Sequence, residues 1–273
     1  MIFIRTLLVF FLATASAFAA DARRIVWKKI SAEDYSHDQI AAAGRLALYA
    51  MFANNSYIET PRRPHFELPR GWSLNKALSV DDKKSGLHYE VWEHRALRLI
   101  VDEVVVAFRG TEDVRDWEHG NLGDAQYQLV NATFPCVLAN YHLANVTAVG
   151  HSLGGGLALH CSLKWPGVSA FGFNPSTRVH QLHKMLGNPC EMVEEHGDPL
   201  GVQRKVWRCL PNLRREKYDF VHGADHFSYS LAAGLLSLGA TADARLALLL
   251  AVQSAKGLPL PPAREHCVER PAR

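Results

Sequence analysis

Three residues that can together make an activated nucleophile occur here in a usable chain order: Ser152 within Gly150-His151-Ser152-Leu153-Gly154, then Asp198, then His226. A serine hydroxyl attacks poorly until an imidazole takes its proton, and the imidazole works only when an acid orients it. The Gly-x-Ser-x-Gly string lies between a β-branched run, Val146-Thr147-Ala148-Val149, and an Ala/Leu helix pattern. That context predicts a strand, a sharp turn and a helix, with the serine strained at the bend. Glycines flank it because side chains there would collide with strand and helix. The chemistry implied is attack of Ser152 on a carbonyl carbon.

In folds with such an elbow the acid and then the base follow the nucleophile. Asp198 is the better acid, ending a predicted strand in a Gly-Asp-Pro turn, and Asp219 is its nearest rival. His226 is the expected base, immediately before a helical pattern, with His222 as the alternative. His222, Asp225 and His226 also admit a metal-ligand reading, weakened by Gly223 and by the lack of a clear third ligand. A metal site there is therefore not the expected reading. His151 sits beside Ser152 in sequence, but its side chain points to the other side, so a packing or hydrogen-bonding role is predicted.

The oxyanion formed on attack needs two converging N–H donors, each worth roughly 3 kcal/mol in the transition state. Leu153 at the helix N-terminus supplies one, helped by the helix dipole. Thr111 is expected to supply the other, from the Arg109-Gly110-Thr111 loop that ends an adjacent strand. Arg109 reads either as a solvated charge or as a partner of Asp113 or Asp116 that rigidifies that loop.

The elements that must position these residues follow from periodicity. Val104 to Phe108, Val146 to Val149 and Val168 to Phe173 are apolar runs typical of strands buried on both faces, with weaker strands at Cys190 to Glu194 and Val206 to Leu210. Leu87 to Glu93 alternates, and Leu97 to Val101 reads as its hairpin partner. Helix patterns cover Tyr35 to Tyr57, Leu153 to Trp165, Phe227 to Leu238 and Ala242 to Lys256. Ile25 to Trp27 reads as a short strand or an arm. Residues 114–144 read as mixed helix and loop bounded at Pro135. Strands alternating with helices, with polar and glycine residues at strand ends, predict an α/β fold with a mostly parallel central sheet flanked by helices.

The chain has 273 residues, 48% apolar and 21% charged, which suits one globular domain. Net charge is +3 without a long basic run, so nucleic acid is not an expected partner. Residues 1–20 read as a secretory signal: Arg5, an apolar Leu7 to Leu12, then Ala17-Phe18-Ala19. Residues 21–273 then form the single domain, secreted or periplasmic. All five cysteines lie in that exported part; Cys161 on the predicted helix reads as a buried small hydrophobe, and the other four leave pairing open.

Two blocks resemble the class 3 lipase family of α/β-hydrolases: Val105 to Trp117, around Arg109-Gly110-Thr111, and Val149 to Gly155, around Ser152. Phe171 to Pro175 and His196 to Leu200 are similar to the family's following strand and acid segments. The resemblance implies an α/β-hydrolase fold and hydrolysis of acyl-lipid esters without a cofactor. It also implies Ser152, Asp198 and a distal histidine as the triad, with Thr111 at the oxyanion hole. The interval from Trp117 to Gly150 is short and lacks the family's His-x-Gly-Phe block, which implies a reduced or displaced lid. The expected partner is a lipid or other acyl-ester substrate, with transient contact at a lipid interface. A phospholipase A-type enzyme or toxin is the near alternative, and a non-catalytic binding protein on a hydrolase scaffold the distant one.

Overall fold

The computed structural model describes residues 24–96, 100–111, 122–177, 179, 188–204, 213–223 and 225–262. After a short arm, α1 (His37–Asn55) opens on Ser36, whose side chain and that of Gln39 form a reciprocal capping box. Then come β1 (Trp72–Leu74), β2 (Val80–Asp81), β3 (His88–Ala96) and β4 (Ile100–Phe108). Next are α2 (Leu122–Asn140), β5 (Asn145–His151), α3 (Leu153–Lys164), β6 (Val168–Phe173) and β7 (Cys190–Glu195). Last come β8 (Leu213–Tyr218), α4 (Ser228–Gly239) and α5 (Ala244–Ala255).

Among the described residues the strands form one sheet in the order β1-β3-β4-β5-β6-β7-β8, with β2 also on β3. Strands β4 to β8 run parallel, and β1, β2 and the β3–β4 pair are antiparallel. The α/β architecture expected from the pattern is what forms. Alternate residues of β4 separate the two cores: Val105 and Ala107 face α1, α4 and α5, while Val104, Val106 and Phe108 face α2 and α3. Burial on both faces accounts for the nearly unbroken apolar runs of β4, β5 and β6.

Two expectations change. The hairpin partner of β3 is β4 itself, which begins at Ile100 and pairs Ile100 with Ala96 and Val101 with Arg95, with a register shift between His94 and Arg95; residues 97–99 lie outside the described residues. Pro135 is inside α2 rather than at its boundary. It lies on the exposed side of the helix, where water can take the carbonyl its missing N–H leaves free. Val206 to Leu210 falls outside the described residues; among the described ones the edge strand is β8, Leu213-Arg214-Arg215-Glu216-Lys217-Tyr218. The Ile25 to Trp27 segment is an arm: Trp27 bridges Val221, and Lys28 N–H donates to Phe220 O at 2.8 Å.

Cys161 is fully buried, as expected, and Cys136, Cys161 and Cys190 are unpaired. Cys209, Cys267 and the residue 1–20 segment lie outside the described residues. No helix among the described residues is long and apolar enough to cross a membrane.

Candidate active site

Parallel pairing brings the carboxyl ends of β4 to β8 to one rim, and the chemistry-bearing residues collect there. In register, Phe108 of β4 lies beside Gly150 of β5, and His151 beside Phe173 of β6. Ser152 follows β5 at φ 57, ψ −124, a conformation an L-residue holds only under constraint. The constraint is visible. Ser152 N–H donates to Phe173 O at 3.1 Å, and Ser152 O accepts from Ser176 N–H at 2.8 Å.

The glycines make that bend possible. A Cβ on Gly150 would run into the Gly154 backbone, and one on Gly154 into Phe108 O and the carbonyl carbon of Arg109. One on Gly110 would meet Tyr57 Oη, His151 O and Ser152 Cβ, so the loop after β4 lies against the nucleophile.

His226 Nε2 is 2.9 Å from Ser152 Oγ, and its Nδ1 contacts Asp198 Oδ2 in a short hydrogen bond. Ser152, Asp198 and His226 are all buried. Asp198 comes off the end of β7 after Gly197, at φ 83, and its Oδ1 accepts from Leu200 N–H at 2.8 Å, capping a short 3-10 turn. His226 is held just before α4, whose first residue is Ser228. Asn174 ties the elbow's neighbour to the acid strand: its N–H donates to Val193 O and its Oδ1 accepts from Glu195 N–H, both at 2.8 Å.

Burial alone would raise the Asp198 carboxyl. The positive charge and hydrogen bond of His226, then those of Arg204, outweigh it and hold the carboxyl below its ordinary value. Asp225 goes the other way, raised by burial, with its carboxylate receiving the Ser230 hydroxyl. Glu195 is likewise pushed up by burial, to about 8, although its Oε1 accepts from Phe220 and Val221 N–H.

The structure therefore brings together Ser152, Asp198 and His226 from the expected set and leaves the rivals outside. Asp219 is half-exposed and pairs with Lys28 Nζ at 2.5 Å. His222 is exposed on the surface. His226 is held between Asp198 and Ser152, and no cluster of three or more potential metal ligands occurs among the described residues. His151 packs as expected: its Nδ1 is 3.0 Å from Tyr57 Oη, and its ring centroid is 4.7 Å from that of His226. Burial, and next the His226 charge, hold it well below the usual imidazole range.

Leu153 is the first residue of α3, where backbone N–H groups have no carbonyl four residues back within the helix. Thr111 follows Gly110 at the rim, partly buried. Asp113 and Asp116 lie outside the described residues; among the described ones, Asp81 is within 3.9 Å of the Arg109 guanidinium. Sequence reasoning missed Tyr57 and Arg204. Tyr57 closes a helix pattern, and Arg204 is a single basic residue outside any motif, so neither carries a chemical signal.

Residues 48–183 match the family model described as the Tle-like phospholipase domain. No curated protein matches the chain. Among solved structures, the chain is similar to the Rhizomucor miehei lipase in its propeptide complex, with a TM-score of 0.45 and 15% identity over 63% of this chain and 66% of that one. It is similar also to the lipase from Rhizopus microsporus var. chinensis, with a TM-score of 0.44 and 17% identity over 68% of this chain and 74% of that one. The family match runs from α1 through β6 and contains the loop after β4 and the elbow. With the mostly parallel α/β sheet and its strand–Ser–helix turn, that match supports an ester hydrolase, lipase-like or phospholipase, similar over residues 48–183 to the Tle-like phospholipase domain.

Proposed function

We propose that the protein is an exported serine carboxylester hydrolase that cleaves acyl esters of lipids through a covalent acyl-enzyme on Ser152. The observation that carries this reading is the unbroken chain of hydrogen bonds from Ser152 Oγ through His226 to Asp198. His226 Nε2 takes the proton as Ser152 Oγ attacks the ester carbonyl. Leu153 N–H and Thr111 receive the oxyanion. The imidazolium, stabilised by the Asp198 carboxylate, then gives its proton to the leaving alcohol, and a water activated by the same base hydrolyses the acyl-enzyme. Export rests on the residue 1–20 pattern.

Within lipid esters, the matched family's description favours acyl bonds of phospholipids. Mass spectrometry after incubation with phosphatidylcholine vesicles and, separately, a triacylglycerol emulsion tests this, with Ser152→Ala as the blank. We expect lysophospholipid and free fatty acid from the vesicles and neither from the variant. Fatty acid from the emulsion alone rules out the phospholipid preference; equal release by Ser152→Ala rules out the serine mechanism.

A further inference from the structure

Arg204 is fully buried, and nothing in the steps above uses it. Its guanidinium is divided among three partners: Nη2 donates to Asp198 Oδ1 at 2.6 Å, Nε to Glu194 Oε1 at 2.5 Å, and Nη1 to Pro175 O at 3.0 Å. Glu194 is held on its other oxygen by Arg215 Nη2 at 2.8 Å. A buried cation is costly to desolvate, and as a staple alone it is commonly matched or bettered by a well-packed apolar side chain. Its choice of partners is therefore informative. It reaches the acid, the strand that carries the acid, and the turn after β6, where the next residue, Ser176, donates to Ser152 O.

A planar guanidinium fixes direction as well as charge, because its N–H groups leave in set directions. On Asp198 it meets one oxygen, Oδ1, together with Leu200 N–H, and leaves Oδ2 to His226. We propose that Arg204 is a positioning residue for the proton relay: it fixes the rotation of the Asp198 carboxylate and, through it, the His226 imidazole facing Ser152. The positive charge also opposes the tendency of burial to protonate this carboxyl. A protonated or rotated Asp198 would present the wrong group to Nδ1, and His226 would lose the orientation on which general-base action depends.

The inference rests on the triad reading above, and its test separates the two. Steady-state kcat and KM on a short-chain nitrophenyl ester are compared for wild type, Arg204→Met, Arg204→Lys, Asp198→Asn and the Asp198→Asn/Arg204→Met double variant. Thermal melting is followed by circular dichroism. Arg204→Met is expected to lower kcat about 100-fold with KM within about threefold, and Arg204→Lys to recover part of that loss. In the Asp198→Asn background the Met substitution should cost less than about threefold, because the group it acts through is already changed. A kcat for Arg204→Met within about threefold of wild type overturns the proposal, as does an undiminished 100-fold loss on top of Asp198→Asn. Where Arg204→Met does not fold, Arg204→Lys decides: a kcat about tenfold down at steady KM supports the proposal, and wild-type kcat overturns it. Wild-type turnover in Asp198→Asn would instead remove the triad reading itself.

Discussion

His226→Ala is expected to lower kcat/KM on a short-chain nitrophenyl ester by about 10,000-fold or more, while His222→Ala stays within about twofold of wild type. The two histidines are four positions apart, yet they differ in everything that matters for a base. His226 is buried with Nε2 2.9 Å from Ser152 Oγ and Nδ1 on a carboxylate, whereas His222 is exposed at the surface. Loss of the imidazole leaves Ser152 with no acceptor for its proton and Asp198 with nothing to orient. His151 cannot substitute: its Nδ1 is engaged by Tyr57 and its ring is held beside the elbow. Retention of more than a tenth of wild-type activity by His226→Ala would place the base elsewhere, and a large loss in His222→Ala would reverse the assignment.

Gly154→Ala is expected to destabilise the fold by about 3 kcal/mol or more and to leave little active protein. The added Cβ would lie within 2.8 Å of the carbonyl carbons of Phe108 and Arg109. Both are backbone atoms at the end of a central strand, so neither can rotate aside as a side chain would. The helix must then back away from β4, which pulls the Ser152 bend and Leu153 N–H out of place. Gly44→Ala is the matched control. Gly44 lies inside α1, and its Cβ would meet Leu246 at an ordinary 3.7 Å. That substitution should leave the melting temperature unchanged or raise it slightly, since alanine is the better helix former. A Gly154→Ala melting temperature within about 2 °C of wild type would contradict the close approach.

The parts of this molecule legible in the sequence are those where one local constraint dominates. Burial on both faces writes itself into Val104 to Phe108 and Val168 to Phe173 as unbroken apolar runs, and the strained turn at Ser152 demands its glycines. Asp198 could be found because it ends such a strand in a turn of its own. What stayed hidden depends on distant partners. Strand β8, the edge of the sheet among the described residues, carries Arg214, Arg215, Glu216 and Lys217, charges that suit such an edge but erase the apolar signature of a strand. Pro135 inside α2 is tolerated because it is exposed and flanked by buried Phe134 and Val137, which anchor the helix whatever its propensity. Arg204 reads as surface by type; only the fold brings Asp198, Glu194 and Pro175 O around it and makes burial of its charge affordable.

The central claim is that the Ser152 hydroxyl is an activated nucleophile, and covalent labelling measures that directly. Folded protein treated with a fluorophosphonate probe and then digested should carry the phosphonyl group on the peptide containing Gly150-His151-Ser152-Leu153-Gly154, with no labelling in Ser152→Ala. Labelling in His226→Ala should be slowed by about 1,000-fold or more. Absence of label from folded wild-type protein, or label on any other residue, would contradict the account.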